Sequence, residues 1–300
     1  MDLDELATQV VDTVQAAGGT FPGKRALHAK GTSAVGTFVS SGAAATLTTA
    51  PHLQAGAELV ATVRFSNGGG DPQSRDDEVG GRGMAVKLKH ADGSGRFDLV
   101  GLSLPAFTVA DPETFIEFLQ ARADNDRLMA FIGDHPETAR VLGIAMSAGL
   151  PESFATVQFN GVHTFVLVAA DGTRRPYRYH WTPDAGIESL PADADPPGAD
   201  YLSAELATRL AAGPVRFRLD LQLANDDDPL DDPSAIWEGE HDHVAAGTLT
   251  ITALHPDPDA ADALIYDPTH VPEGIECSDD PILAFRPKVY GVSYARRTTT

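Results

Sequence analysis

The segment PVRFRLDLQLA (214–224) puts Val215, Phe217, Leu219, Leu221 and Leu223 at every second position, with Arg216, Arg218, Asp220 and Gln222 between them. That period of two is the pattern of a β-strand with one face on a core and the other toward polar surroundings. Runs of the same kind lie on both sides of it. AVGTFV (34–39), ATLTT (45–49), ELVATVRFSN (58–67), GMAVKLK (83–89), RFDLV (96–100), ATVQFN (155–160), HTFVLVA (163–169) and PYRYHW (176–181) come before, and GTLTITAL (247–254) after. At least eight strands are therefore expected.

Helical spacing occurs where the strand pattern stops. Leu3, Leu6, Val10 and Val14 share one helical face, and Gly18-Gly19 ends the run. DPETFIEFLQARA (111–123) opens with a capping Asp111 and a first-turn Pro, and PETARVLGIAMSA (136–148) repeats that opening. Strands with a few helices predict an α+β fold. No long linker and no internal repeat divides the chain, so one domain over 1–300 is expected, with a helix in 1–20 and a core over 21–297.

A chain of 300 residues can bury about 75% of its unfolded surface without disulfides. Its net charge of −21 argues against nucleic acid or an anionic membrane as a partner. The lone cysteine, Cys277, excludes a disulfide framework, a Cys-x-x-Cys site and covalent c-type haem. There is no basic leader before an apolar run and no apolar stretch long enough to span a bilayer, so a cytoplasmic location is expected. The acidic, Pro-rich pieces 191–200, 224–233 and 255–263 read as loops.

Several possible sites are weak. Glu240, His241, Asp242 and His243 lack a metal-binding motif around them and read as a solvated loop. Gly68-Gly69-Gly70 is not followed by Lys-Ser/Thr and reads as a turn. No Gly-x-Ser-x-Gly is present, and the carboxylates beside Cys277 oppose a thiolate. Two segments carry more. RALHAKGTSAVGTF sets Arg25 before His28, although a purely structural histidine would fit the same pattern. DDPILAFRPKVYGVSYARR sets Arg286 four residues before Tyr290, so on a helix the guanidinium meets the phenol and favours a phenolate, a hard ligand suited to Fe(III).

RALHAKGTSAVGTF, VRFSNGGGDP, GGRGMAVKLK, FDLVG, NGVHTF…YRYHW and YDPTHVPEGIECSDDPILAFRPKVY resemble, in order and spacing, the haem catalase superfamily. The resemblance runs from about Arg25 to Arg297 and is to its minimal, catalase-related peroxidases, without the long N-terminal arm or the C-terminal helical region of large catalases. It implies an antiparallel β-barrel of about eight strands with helices around it, and haem b bound to Tyr290. Arg286 would hold the phenolate, backed by His180 and Asp280. Arg25, Arg64 and Arg297 would take the propionates. His28 would be the distal acid and base, oriented by Ser66, and Phe115 would stack near the haem.

One departure stands out. In FDLVGLSLPAF, Leu102 and then Ser103 stand where large catalases carry an asparagine after the glycine. A leucine there offers no hydrogen bond to peroxide and dries the pocket. The resemblance with that change implies a peroxidase that reduces hydrogen peroxide or organic hydroperoxides with a small external donor and has weak catalase activity. The alternatives are a true small catalase, in which Ser103 or a water replaces the amide, and a haem-binding protein without turnover. Leu27 stands where allene oxide synthases of the superfamily carry a threonine, which argues against that chemistry. A homodimer is expected rather than a tetramer, and no NADPH site is predicted.

Overall fold

A computed structural model describes residues 2–195 and 197–299; Met1, Thr300 and Pro196, which falls in the expected 191–200 loop, lie outside the described residues. The chain begins with α1 (Leu3–Gly18), capped by Asp2 and ended by Gly19 at φ 91°. It continues through β1 (Gly31–Ser40), β2 (Glu58–Asn67), β3 (Arg82–Lys89) and β4 (Phe97–Leu102). Helices α2 (Pro112–Ala121), α3 (Asn125–Asp134) and α4 (Pro136–Ser147) come next, followed by β5 (Phe159–Val168) and β6 (Arg174–Pro183). Then come α5 (Tyr201–Ala212), β7 (Val215–Leu223), β8 (His243–Leu254), α6 (Pro258–Asp262), β9 (Ile275–Cys277) and α7 (Pro281–Thr298).

All strand pairs are antiparallel, in the order β4-β3-β2-β1-β8-β7-β6-β5, and the pairing of Leu102 with Asn160 joins β4 to β5. The eight strands thus close into a barrel, with β9 added on β5. Closure leaves these strands no free edge among themselves. The interior is filled by alternate residues, Leu59, Ala61, Val63 and Phe65 from β2 and Phe217, Leu219 and Leu221 from β7, around Phe159, Tyr179 and Trp181. Gly161 is required there, because a Cβ would lie 2.5 Å from the Tyr179 ring.

A period of two sends Arg64 and Ser66 of β2 to the other face of the sheet. Helices cover that face. A second apolar cluster joins Leu6, Ala7, Val10 and Val14 of α1 to Ile116 and Leu119 of α2 and Phe285 of α7. Ion pairs Lys288–Asp4 (2.6 Å) and Arg296–Asp12 (2.7 Å) hold α1 along α7.

Three expectations of local structure are corrected. ATLTT (45–49) is not a strand but part of a turn, in which Ala45 and Leu47 donate to Gly42 and Ala44 carbonyls and Gly42 takes φ 77°. Residues 155–160 and 163–169 are not two strands. Ala155 and Thr156 form a short 3-10 turn capped by Ser153, and the rest merges into β5, whose pairing with β6 is irregular between Gly161 and Phe165. Helices α3 and α5 arise where no helix is expected from the periodicity, α3 with no buried residue to mark a face, and the short α6 falls inside 255–263, expected as a loop.

Candidate active site

Between the outer face of β2, β3 and β4 and the helices α1, α2 and α7 lies a largely apolar cavity of about 1190 Å³ including its open mouth. Arg25, His28, Arg64, Ser66, Leu102, Phe115, Arg286, Tyr290 and Arg297 all line it. Residues spread over most of the chain are thereby brought to one place.

On the barrel side, His28 Nδ1 lies 2.9 Å from Ser66 Oγ. His28 is the one described non-glycine residue at positive φ, 54°. Backbone in that sparsely populated region persists where surroundings over-determine it, and here Ala29 N donates to Gly69 O and Asn67 N to Lys30 O on either side of the ring's anchor. Gly83 pairs with Ser66 across the sheet, and a Cβ on it would sit 2.9 Å from both His28 Nδ1 and Ser66 Oγ. The glycine is needed for space, not for its backbone angle. Burial pushes the His28 pKa down to about 3, with the charges of Arg64, Arg286 and Arg25 adding to it. The ring is therefore neutral near pH 7, with Nε2 free of protein partners among the described residues.

On the α7 side, Asp280 caps the helix by accepting from Ile282 N (2.8 Å) and Leu283 N (3.0 Å) with Oδ1. Its Oδ2 lies 2.6 Å from His163 Nδ1. Arg286 NH1 is 2.8 Å from His163 Nε2, and Arg286 Nε donates to Tyr290 Oη at 2.7 Å. Because a guanidinium only donates and a carboxylate only accepts, His163 carries its proton on Nδ1 and is neutral. Burial lowers its pKa in the same direction, against the pull of Asp280.

This corrects the expected network. His180 is not its member: Nδ1 pairs with Asn160 Oδ1 (2.8 Å) and Nε2 with Gln222 Oε1 (2.9 Å), on strand faces away from Asp280. Both histidines sit on strands of a segment pair, and spacing alone does not choose between them. The irregular stretch of β5 turns His163 toward the start of α7, where it is 1% exposed. Ser103 is likewise outside the cavity lining, since its Oγ accepts from Arg82 N (2.8 Å) and its own N donates to Arg82 O (2.8 Å). Nor does Asn160, opposite Leu102, supply the missing amide: its Nδ2 donates to Leu102 O and Leu104 O.

At one end of the cavity two guanidiniums and an ammonium share a single carboxylate. Arg25 NH1 (3.1 Å) and Arg64 Nε (3.4 Å) donate to Asp262 Oδ1, and Lys24 Nζ to Oδ2 (2.9 Å). Burial raises the Asp262 pKa, but Lys24, Arg64 and Arg25 outweigh it and leave it lowered. Burial, with Arg25 beside them, pushes Arg64 and Arg297 down to about 10. Arg297 Nε is buried with no partner. Cations in excess and an orphaned donor in an apolar cavity suit a flat apolar group that carries carboxylates at one edge. A phenol oxygen held by a guanidinium lies in the same lining. A haem would fit this donor set: Tyr290 would meet its iron, and Arg25, Arg64 and Arg297 its propionates. Gly83, His163, Tyr266 and Tyr294 also belong to the site or its support, and only register and helical phase reveal them.

A family model described as Catalase matches residues 21–300. A catalase-related peroxidase of Mycolicibacterium paratuberculosis is 42% identical over 299 residues, covering 97% of this chain and 94% of that protein. A catalase-related peroxidase of Synechococcus elongatus is 32% identical over 301 residues, covering 97% and 88%. The fold is shared with a solved fungal catalase, at a TM-score of 0.84 and 21% identity, over 97% of this chain and 63% of that one. With a family model over nearly its whole length and close relatives of matching size, the chain belongs to the catalase family.

Proposed function

We propose that this catalase-family chain is a peroxidase that holds haem b through Tyr290 and reduces hydroperoxides, hydrogen peroxide and organic ones, with electrons from a small external donor. The observation that carries the reading is the pairing of two polar units on one apolar cavity: His28 with Ser66, and Tyr290 with Arg286. Haem, when bound, supplies a redox-active iron that takes oxidising equivalents from a hydroperoxide and returns them to a donor.

The residues divide the remaining work. Ser66 fixes Nδ1 of His28, so Nε2 is the ring atom that takes the hydroperoxide proton and gives it back to the leaving oxygen. Burial and three nearby guanidiniums keep the ring neutral near pH 7, and with its one proton on Nδ1, donated to Ser66 Oγ, Nε2 is the bare nitrogen. Arg286 donates to the phenol oxygen of Tyr290, and neutral His163, anchored by Asp280, fixes Arg286. Leu102 gives the wall a side chain without a hydrogen bond, which favours an apolar hydroperoxide over aligned hydrogen peroxide. Ser103 is engaged with the Arg82 backbone, so the cavity gains no substitute amide from it.

The test is made on haem-loaded protein. Oxygen release from hydrogen peroxide is set beside dye oxidation driven by hydrogen peroxide and by cumene hydroperoxide. Dye oxidation with little oxygen is expected; vigorous oxygen release would instead make the protein a small catalase.

Among the described residues no helix is long and apolar enough to cross a membrane. The acidic composition with a single cysteine suits work in the cytoplasm.

A further inference from the structure

Helix α7 sets Tyr294 one turn beyond Tyr290 on the same face, and both phenols line the cavity. Of the other aromatic side chains in that lining, Tyr266 and Phe285 are buried and Phe107 and Phe115 are half-buried. Tyr294 is 37% exposed. It is thus the most exposed aromatic side chain of the cavity lining.

Its surroundings set how it can be oxidised. The Arg297 guanidinium lies 5.3 Å from the centre of the Tyr294 ring. Arg297 is itself buried and held by the carbonyls of Leu264 (3.2 Å) and Ala263 (3.4 Å), so the charge is fixed in place. A cation over a ring opposes positive charge on that ring. An electron therefore leaves Tyr294 only together with the hydroxyl proton, and the product is a neutral phenoxyl radical. With a planar cofactor bound, the cavity would have little room for a bulky aromatic donor, and Tyr294 would be the lining aromatic such a donor reaches most readily.

We infer that Tyr294 is the surface site at which phenolic and aromatic-amine donors deliver electrons to the buried centre, an inference that rests on the haem-peroxidase reading above. With haem bound to accept an electron, Tyr294 would give up one electron and pass its Oη proton to water. The donor then returns one electron and one proton to the phenoxyl oxygen, which restores the phenol and leaves the donor as a radical. Two such cycles supply the two electrons that reduction of one hydroperoxide consumes.

The experiment uses haem-loaded full-length protein, hydroperoxide, and the nitrone spin trap 5,5-dimethyl-1-pyrroline N-oxide, with tandem mass spectrometry of the tryptic peptide between Lys288 and Arg296. A peroxide-dependent adduct on Tyr294, lost when a phenolic donor is added in excess, is expected. In Tyr294→Phe the rate of oxidation of a sulfonated dye too large for the cavity should fall about tenfold or more, with the Soret band retained. A protein that consumes hydroperoxide yet shows no adduct at Tyr294, or a Tyr294→Phe variant that oxidises the large dye at the parent rate, overturns the assignment alone. Wild-type protein with no Soret band or no hydroperoxide consumption overturns the peroxidase reading and this inference with it.

Discussion

Asp280 and His163 lie 2.6 Å apart, and the contact joins the start of helix α7 to the barrel wall. One carboxylate oxygen caps the helix and the other holds the ring. The ring's far nitrogen then receives Arg286, whose Nε reaches Tyr290. A helix cap, normally a matter of local stability, is here the first link of a chain that ends on the phenol oxygen facing the cavity.

Removing the middle of that chain should be felt at both ends. His163→Ala leaves a buried carboxylate oxygen and a guanidinium nitrogen without partners, a loss of about 1–3 kcal/mol. It should lower the urea midpoint with little change in slope and shift the Soret band of loaded protein. His180→Ala loses only its bonds to Asn160 and Gln222 and should leave the Soret band in place. Identical spectra for the two variants would remove His163 from the proximal network.

The contrast between these histidines shows what the sequence made legible. The strands and the N-terminal helix follow from the period-two and helical runs, whereas the closed barrel and the residues lining the cavity follow from the resemblance to the catalase superfamily. The partner of Asp280 does not, because it depends on an irregularity in β5 that turns His163 outward, and no residue pattern marks it. Gly83 was equally hidden: its role is empty space beside His28, visible only once the strands are paired in register. ATLTT read as a strand because a short apolar and Thr-rich run fits either a strand or a tight turn, and Gly42 decides for the turn.

Tyr290→Phe tests the proposed iron ligand. The phenol oxygen is lost while the ring and its packing remain, so the far-ultraviolet circular dichroism should match the parent. Haem titrated into the variant should give a much weaker Soret band that washes out on gel filtration. A retained, unshifted band would mean that iron is held elsewhere.

Gly83→Ala puts a methyl group 2.9 Å from His28 Nδ1 and Ser66 Oγ, a spacing that one of them must yield. Displacing the ring by even a fraction of an ångström spoils proton transfer, at a cost of about 10–100-fold in kcat/KM for hydroperoxide. The backbone angle at this position is ordinary, so folding should survive, and thermal unfolding monitored beside the kinetics separates the two effects. Unchanged kinetics would show that Ser66 does not need to hold the ring where it stands.

Acid should weaken the fold through His28. In the unfolded chain the ring takes a proton near its ordinary value, about 6.5. In the folded protein burial, with Arg64, Arg286 and Arg25, delays that proton to about 3. Between those values the unfolded state binds more protons, so stability is full above about pH 6.5 and declines as the pH falls toward 3. Denaturant midpoints taken from neutral to mildly acid pH should fall more steeply in the parent than in His28→Gln. Parallel slopes would mean that the ring is already charged in the native state.

Leu102 is the residue we propose sets the balance between the two peroxide chemistries. It pairs with Gly83 on one side and Asn160 on the other, and its side chain forms part of the cavity wall beside the His28–Ser66 unit. An amide at this place could donate to a bound peroxide oxygen, whereas leucine leaves that oxygen without a donor and keeps water out. Asn160 and Ser103 cannot make up the loss, because each is committed to backbone partners. Leu102→Asn should therefore raise oxygen release from hydrogen peroxide by about tenfold, one bond's worth of net hydrogen-bond energy, while dye oxidation with cumene hydroperoxide falls. An oxygen electrode and a spectrophotometer on the same haem-loaded sample measure both. If oxygen release stays flat, the leucine is not what suppresses disproportionation, and the cause must lie in how the donor reaches the site.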